Sequence, residues 1–189
     1  MFKSKSLENV VFNGVPVDNN DDNASTSAGG SDGDKTLTIV TGTSNNHFGI
    51  LFHNLIASVK WRIMDGIDES YFDHVRFVVY DLDREESLIS EHKRKLANIP
   101  FAEYRAFNYT QYPEHFDINQ IFHGQYAWKP AIIEEIVKEE QQDSHSKEIS
   151  MVYWIDSGLL VSSKCKDFGP DIEHALVHGI YTVSCEIYY

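Results

Sequence analysis

Only two cysteines, Cys165 and Cys185, occur among 189 residues, too few for a disulfide scaffold and wrongly spaced for a zinc site. One bridge or two buried thiols are the alternatives left. No apolar run approaches the roughly 18 residues of a membrane span, and the start MFKSKSLENVVFNGV lacks the apolar stretch of about 7 to 15 residues that marks a signal peptide. Read literally, the chain is expected to be soluble and unexported, so the glycosylation-like triplets Asn23-Ala24-Ser25 and Asn108-Tyr109-Thr110 carry little meaning. Positive charge is scarce too: 16 Lys and Arg against 29 Asp and Glu leave a net charge of -13. Such a chain is repelled by phosphate backbones and anionic lipid, which argues against nucleic acid as a partner. A nucleoside diphosphate is still compatible, because screening confines each charge to roughly 10 Å and backbone N–H groups, a metal ion or one lysine can hold phosphate locally. The P-loop, GxGxxG, GxSxG and HExxH motifs are all missing, which weakens kinase, dehydrogenase, serine hydrolase and protease readings.

What is present is an ordinary globular composition, with 42% hydrophobic and 13% aromatic residues against 24% charged. The length favours one domain. Residues 18–34, DNNDDNASTSAGGSDGD, contain no Lys, Arg or large apolar side chain and cannot offset their ordering entropy by burial, so they read as a flexible linker. The chain therefore divides into a flexible acidic segment, 1–35, and a folded domain, 36–189. Within the first, Val10, Val11, Phe12, Val15 and Val17 suit either a short strand or a loosely docked arm.

From Lys35 onward strands alternate with helices. The β-branched run TLTIVTG (36–42) predicts a strand ending in the turn segment TGTSNN. Leu51, Phe52, Leu55, Ile56, Val59 and Ile63 then form one helical stripe, with Gly66 fitting its end. A second strand, VRFVVYDL (75–82), precedes a helix in REESLISEHKRKLA on which Leu88, Ile89, His92 and Leu96 share a face, closed by Pro100. EYRAFN (103–108) predicts a third strand, and a helix is expected over roughly 125–141, with Ile132, Ile133, Ile136 and Val137 as its stripe and Pro130 in its first turn. MVYWID (151–156) is apolar on both alternating faces until its last residue, as a central parallel strand covered on each side should be. A helix DIEHALVH (171–178) and a strand YTVS (181–184) complete the pattern. Three strand, helix, strand crossovers predict an α/β fold, a mostly parallel Rossmann-like sheet flanked by helices.

Ligands of open parallel sheets bind beyond the carboxyl ends of the strands. The informative residues are thus Thr41 to His47, Asp81 and Asp83, Asn108 to Tyr112, and Asp156 to Gly158. Thr41-Gly42-Thr43, Val78-Val79-Tyr80-Asp81-Leu82, Tyr126-Ala127-Trp128-Lys129-Pro130 and Trp154-Ile155-Asp156-Ser157-Gly158 follow one another in that order. In these motifs residues 36–165 resemble the nucleotide-diphospho-sugar transferases, glycosyltransferases of the GT-A type, and more narrowly an animal group with YAWKP and W-x-D-S motifs.

The resemblance implies a donor site for a uridine- or guanosine-diphosphate-linked sugar, with the base near Thr41, Gly42, Thr43 and Asp81, Lys129 as a point charge on the diphosphate, and an unknown acceptor. It further implies a divalent Mn or Mg ion held by an Asp-x-Asp element at the end of the fourth strand, where Asp156 supplies the first carboxylate. Gly158 stands at the third position and has no side chain to ligate with, which puts the metal in question. The family's catalytic domain normally continues for roughly another hundred residues past that strand, so the domain reads as GT-A-like but truncated at its C-terminus. Its activity implies a Golgi lumenal setting, which would require an anchor missing from this sequence. A binding or scaffold protein that keeps the half-fold without transfer is the alternative.

Four rival signals read more simply. Asp81-Leu82-Asp83 also matches Asp-x-Asp, but a hydrated strand end with Asp83 capping the next helix is the plainer reading. His174 and His178 lie four apart without the glutamate of a zinc protease. His47 and His53 suit surface or capping roles, and Trp61, Trp128 and Trp154 suit packing ones.

Overall fold

The computed structural model describes residues 10–12, 35–45, 47–65, 72–120, 122–143, 150–161 and 180–181. Among the described residues six strands form one sheet: β1 (Val10–Phe12), β2 (Thr36–Thr43), β3 (His74–Asp81), β4 (Ala102–Ala106), β5 (Ser150–Trp154) and β6 (Ile180–Tyr181), in the order β4-β3-β2-β5-β1-β6. The middle four, β4-β3-β2-β5, are all parallel. β1 pairs antiparallel with β5 and with β6, so the apolar run 10–12 is a strand. β5 is indeed central, though only one of its two neighbours is parallel. The linker at 18–34, Gly66, both cysteines and the 171–178 helix lie outside the described residues.

Among the described residues three helices flank the parallel strands: α1 (Ile50–Val59), α2 (Glu86–Leu96) and α3 (Trp128–Asp143). Alternation along each strand sorts the core into two layers. Leu37, Ile39, Phe77, Val79, Met151 and Tyr153 pack with Phe52, Leu55, Val59 and Ile63 of the α1 segment and with Leu96 of α2. Val40, Val78, Tyr80, Val152 and Trp154 pack on the other face with Ile132, Ile133 and Ile136 of α3. Each large apolar side chain so buried contributes roughly 1.5 to 3 kcal/mol relative to exposure. The fold is thus an α/β Rossmann-like sheet, covered on both sides as a central parallel sheet must be. No helix among the described residues is long and apolar enough to cross a membrane.

Two local departures from expectation have physical causes. α1 continues into a π turn, Lys60–Met64, in which Asp65 N–H donates to the Lys60 carbonyl at 2.9 Å. Trp61 lies about 200° around the helix from Val59, off the apolar stripe, and is 74% exposed rather than packed. The third helix begins at Trp128 instead of 125, because Phe122, His123, Gly124 and Tyr126 all take positive φ, between 53° and 65°. Residues 123–126 therefore form a left-handed single turn that no right-handed helix can continue.

On the α3 side, β3 and β4 carry an ionic lattice beside these apolar contacts. Arg105 donates to Glu139 at 2.5 and 2.9 Å and pairs with Glu103, while Arg76 donates to Glu140 at 2.6 Å, Glu103 at 2.9 Å and Glu139 at 3.0 Å. Thr38 adds a bond to Glu140 at 2.7 Å. The lattice fixes α3 across three strands of the sheet.

Candidate functional site

The strand order places a reversal between β2 and β5: the chain steps outward through β3 and β4, then returns to the other side of β2. At such a switch point the loops leaving the two neighbouring strands diverge and open a crevice. A cleft of about 670 Å³ lies there, lined by Gly42, Ser44, Asn45 and His47 after β2, Leu82 and Asp83 after β3, and Asp156, Ser157 and Gly158 after β5. The 118–129 segment supplies the opposite wall, with Phe122, His123, Tyr126, Trp128 and Lys129.

Asp156 and Lys129 meet in this wall. Lys129 Nζ donates to Asp156 Oδ1 at 2.6 Å, and Trp154 Nε1 donates to the same oxygen at 2.7 Å. The ammonium also lies 5.2 Å from the centre of the Trp154 ring, within cation–π range. Position 129 falls in the first turn of α3, next to Trp128, whose indole N–H donates to the His123 carbonyl at 3.1 Å. The two indoles of Trp128 and Trp154 lie 5.9 Å apart. They leave no room at Gly42, where a Cβ would stand 2.9 Å from Trp128 Cζ3 and 3.2 Å from Trp154 Cη2. Gly42 is thus required by close packing under the cleft floor, whereas a Cβ at Gly158 would meet nothing within 4 Å.

The left-handed turn shapes the cleft's rim. Gly124 is buried there, and a Cβ at this φ of +65° would stand 2.5 Å from the Phe116 carbonyl oxygen. Phe122 and Tyr126 are held outward, 76% and 54% exposed, so two aromatic faces border the opening.

Beneath the cleft lies a second polar cluster. Asp81, at the last position of β3, is fully buried; its Oδ1 accepts the Asp83 N–H at 3.0 Å, and its Oδ2 accepts the Tyr104 hydroxyl at 3.1 Å and lies 3.1 Å from His92 Nδ1. Asp83 does not cap α2: the residue at the helix N-cap is Glu85, and the Asp83 carboxylate instead accepts the Asn45 N–H at 2.7 Å and lies 3.4 Å from the same His92 nitrogen. Burial, and then the charge of Asp81, push the Asp83 carboxyl upward. Burial followed by Asp81 likewise raises the Tyr104 phenol. His92 comes from the apolar face of α2, is 1% exposed, and stacks on the Phe48 ring at 3.7 Å and 8°. One ligand atom from each of Asp81, Asp83 and His92 lies within 4.8 Å of the others, close enough to hold a metal ion.

Of the six residues expected to bind a donor, Gly42, Lys129 and Asp156 line the cleft. Thr41, Thr43 and Asp81 are buried in the layer under it. Asp156, expected also as a metal ligand, belongs to no group of three ligating side chains among the described residues. His47 does border the cleft, and the His53 ring bonds the Gly49 carbonyl at 2.8 Å. Reading the sequence missed the rim aromatics and the joining of His92 to Asp81. A histidine on an otherwise apolar helical face was the available signal for the second, and nothing in the periodicity announced the left-handed turn that makes the first. No protein-family model, curated protein or solved structure is significantly similar to the chain.

Proposed function

We propose that the cleft binds a nucleoside-diphosphate sugar, uridine- or guanosine-linked, and that the chain transfers the sugar to an acceptor. The observation that carries this reading is the Lys129–Asp156 pair in the wall of a cleft at the switch point of a Rossmann-like sheet, where nucleotides bind in folds of this class. The cleft lies within the range of about 300 to 1,000 Å³ usual for small-molecule sites. Lys129 would turn from Asp156 to the diphosphate, replacing one charge-assisted bond by another and neutralising the leaving group. The released Asp156, still oriented by the Trp154 indole, could accept a hydroxyl or take part in holding Mn or Mg. Asn45 and the loop after β2 would meet the base, and Phe122 or Tyr126 would cover it by stacking.

A second reading, binding without transfer, is favoured by Gly158: the position that would bring a second carboxylate beside Asp156 has no side chain. Calorimetric titration of uridine and guanosine diphosphates, with and without manganese, tests both. Binding in the micromolar range that falls at least tenfold in Lys129→Met is expected. Binding together with cleavage of a nucleotide sugar supports transfer, whereas binding without turnover over a panel of acceptors supports the second reading. No binding to the folded chain would overturn both.

A further inference from the structure

We propose that Asp81, Asp83 and His92 form a binding site for a divalent transition-metal ion, zinc or manganese, seated beneath the cleft and opening into it beside Asp83. The inference stands on this cluster and does not depend on which nucleotide, if any, the cleft takes.

Spacing is the first argument. Atoms held about 2.1 Å from one ion at tetrahedral or octahedral angles lie roughly 3.0 to 3.4 Å from each other. His92 Nδ1 lies 3.1 Å from Asp81 Oδ2 and 3.4 Å from Asp83 Oδ2, so two of the three edges already have coordination-shell length, and one ligand atom of each residue lies within 4.8 Å of the others. One imidazole with two carboxylates is a donor set suited to zinc or manganese.

Charge is the second. Four other buried or half-buried carboxylates meet a guanidinium or an ammonium: Asp117 meets Arg84, Glu139 and Glu140 meet Arg76, and Asp156 meets Lys129. The hydrogen-bond partners of Asp81 and Asp83 are instead two backbone N–H groups, a phenol and the imidazole. Two adjacent carboxylates, one of them wholly buried, thus share a site with no Lys or Arg bonded to them among the described residues, which is an arrangement a cation completes.

The third is an orphaned hydroxyl. Thr43 is level with Asp81 in the parallel ladder and therefore on the same face of the sheet, one strand spacing of about 4.8 Å away. It is 1% exposed, and its Oγ1 has no hydrogen-bond partner among the described residues. Such a group ordinarily costs free energy; beside an ion it would be a further ligand or the partner of a metal-bound water. Support around the ligands is also in place. Tyr104 donates to Asp81, the Asn45 N–H fixes Asp83, and Phe48 stacks on the His92 ring, the outer contacts that orient ligands in built metal sites.

The test uses the full chain, stripped with chelator and titrated with zinc, manganese or cobalt alone, with no nucleotide present. The expected result is one ion per chain with a Kd below about 10 μM and visible absorption bands from bound cobalt, with affinity falling about 10- to 100-fold in Asp83→Asn, a change of the size seen on weakening a metal's ligand set. Asp83 borders the cleft, so this variant carries the test if His92→Gln, in the core, fails to fold. Asp156→Asn should bind the metal as the parent does. Failure of the folded chain to bind any of the three ions, binding indifferent to Asp83→Asn, or binding lost only in Asp156→Asn would each overturn the assignment.

Discussion

Gly42 and Gly158 stand at the ends of neighbouring parallel strands, yet only the first is required by its surroundings. A methyl group at position 42 would press on two indole rings that cannot rotate away, because Trp128 is tied to the His123 carbonyl and Trp154 to Asp156. Overpacking of this kind costs roughly 1 to 3 kcal/mol. Gly42→Ala is therefore expected to lower the unfolding free energy by that amount, and the urea midpoint with it, and to shift the tryptophan emission, while Gly158→Ala leaves both unchanged. The indole of Trp154 can be followed in the same way: Trp154→Phe removes the donor to Asp156 and part of a buried ring. It should weaken nucleoside diphosphate binding several-fold in calorimetry and lower the midpoint.

Among the elements, α3 is held to the sheet by two unlike contacts, an apolar stripe and the lattice around Arg76 and Arg105. The bonds from Arg105 hold the Glu139 carboxyl below its ordinary value of 4.5 against the opposing effect of burial. Burial alone would raise Glu103, and its bonds to Arg76 and Arg105 more than reverse that. A carboxyl lowered in the folded state stabilises above its ordinary value and loses that contribution as pH falls through the folded one. The protein should consequently lose stability below about pH 4.5. Arg105→Met, which leaves Glu103 and Glu139 paired with Arg76, should flatten that pH dependence and cost about 1 kcal/mol at pH 7. Urea unfolding at pH 7 and pH 3.5 measures both effects. These contacts also show where reading the sequence stopped. The stripes Phe52, Leu55, Val59 and Ile132, Ile133, Ile136 announce their helices because burial repeats with the period of the element. Arg105 and Glu139 are 34 residues apart and look like ordinary solvated charges until the fold joins them. His92 met Asp81 for the same reason, and α3 was begun too early because the YAWKP run starts inside a turn of the opposite hand.

For the molecule as a whole, the strand order accounts for where the cleft lies, and that much was legible: the alternation of strands and helices predicts a parallel sheet, and a parallel sheet puts its ligands past the strand ends. Which strands would adjoin was not legible, since residue period says nothing about sequence-distant pairing. The antiparallel addition of β1 to β5 is the clearest case, because three residues carry no periodic signal. That strand covers an edge which would otherwise offer free N–H and C=O groups to another chain. Val11→Pro removes a donor from β1 and should leave β5 unprotected. Size-exclusion chromatography with light scattering is expected to show dimers or larger species for this variant and a smaller species for the parent at the same concentration.

The pairing of β1 with β5 also has a consequence in time. Val11 is the register partner of Val152, so a ribosome that has made β1 must add roughly 140 residues before its partner exists, about 7 to 28 seconds at 5 to 20 residues per second. β2, β3 and β4 can associate with their helices during that interval through contacts nearer in sequence. β1 is then seated after strands that follow it in the sequence, and until β5 is made the nascent protein carries an unpaired apolar strand that chaperones, or a neighbouring nascent chain, can reach.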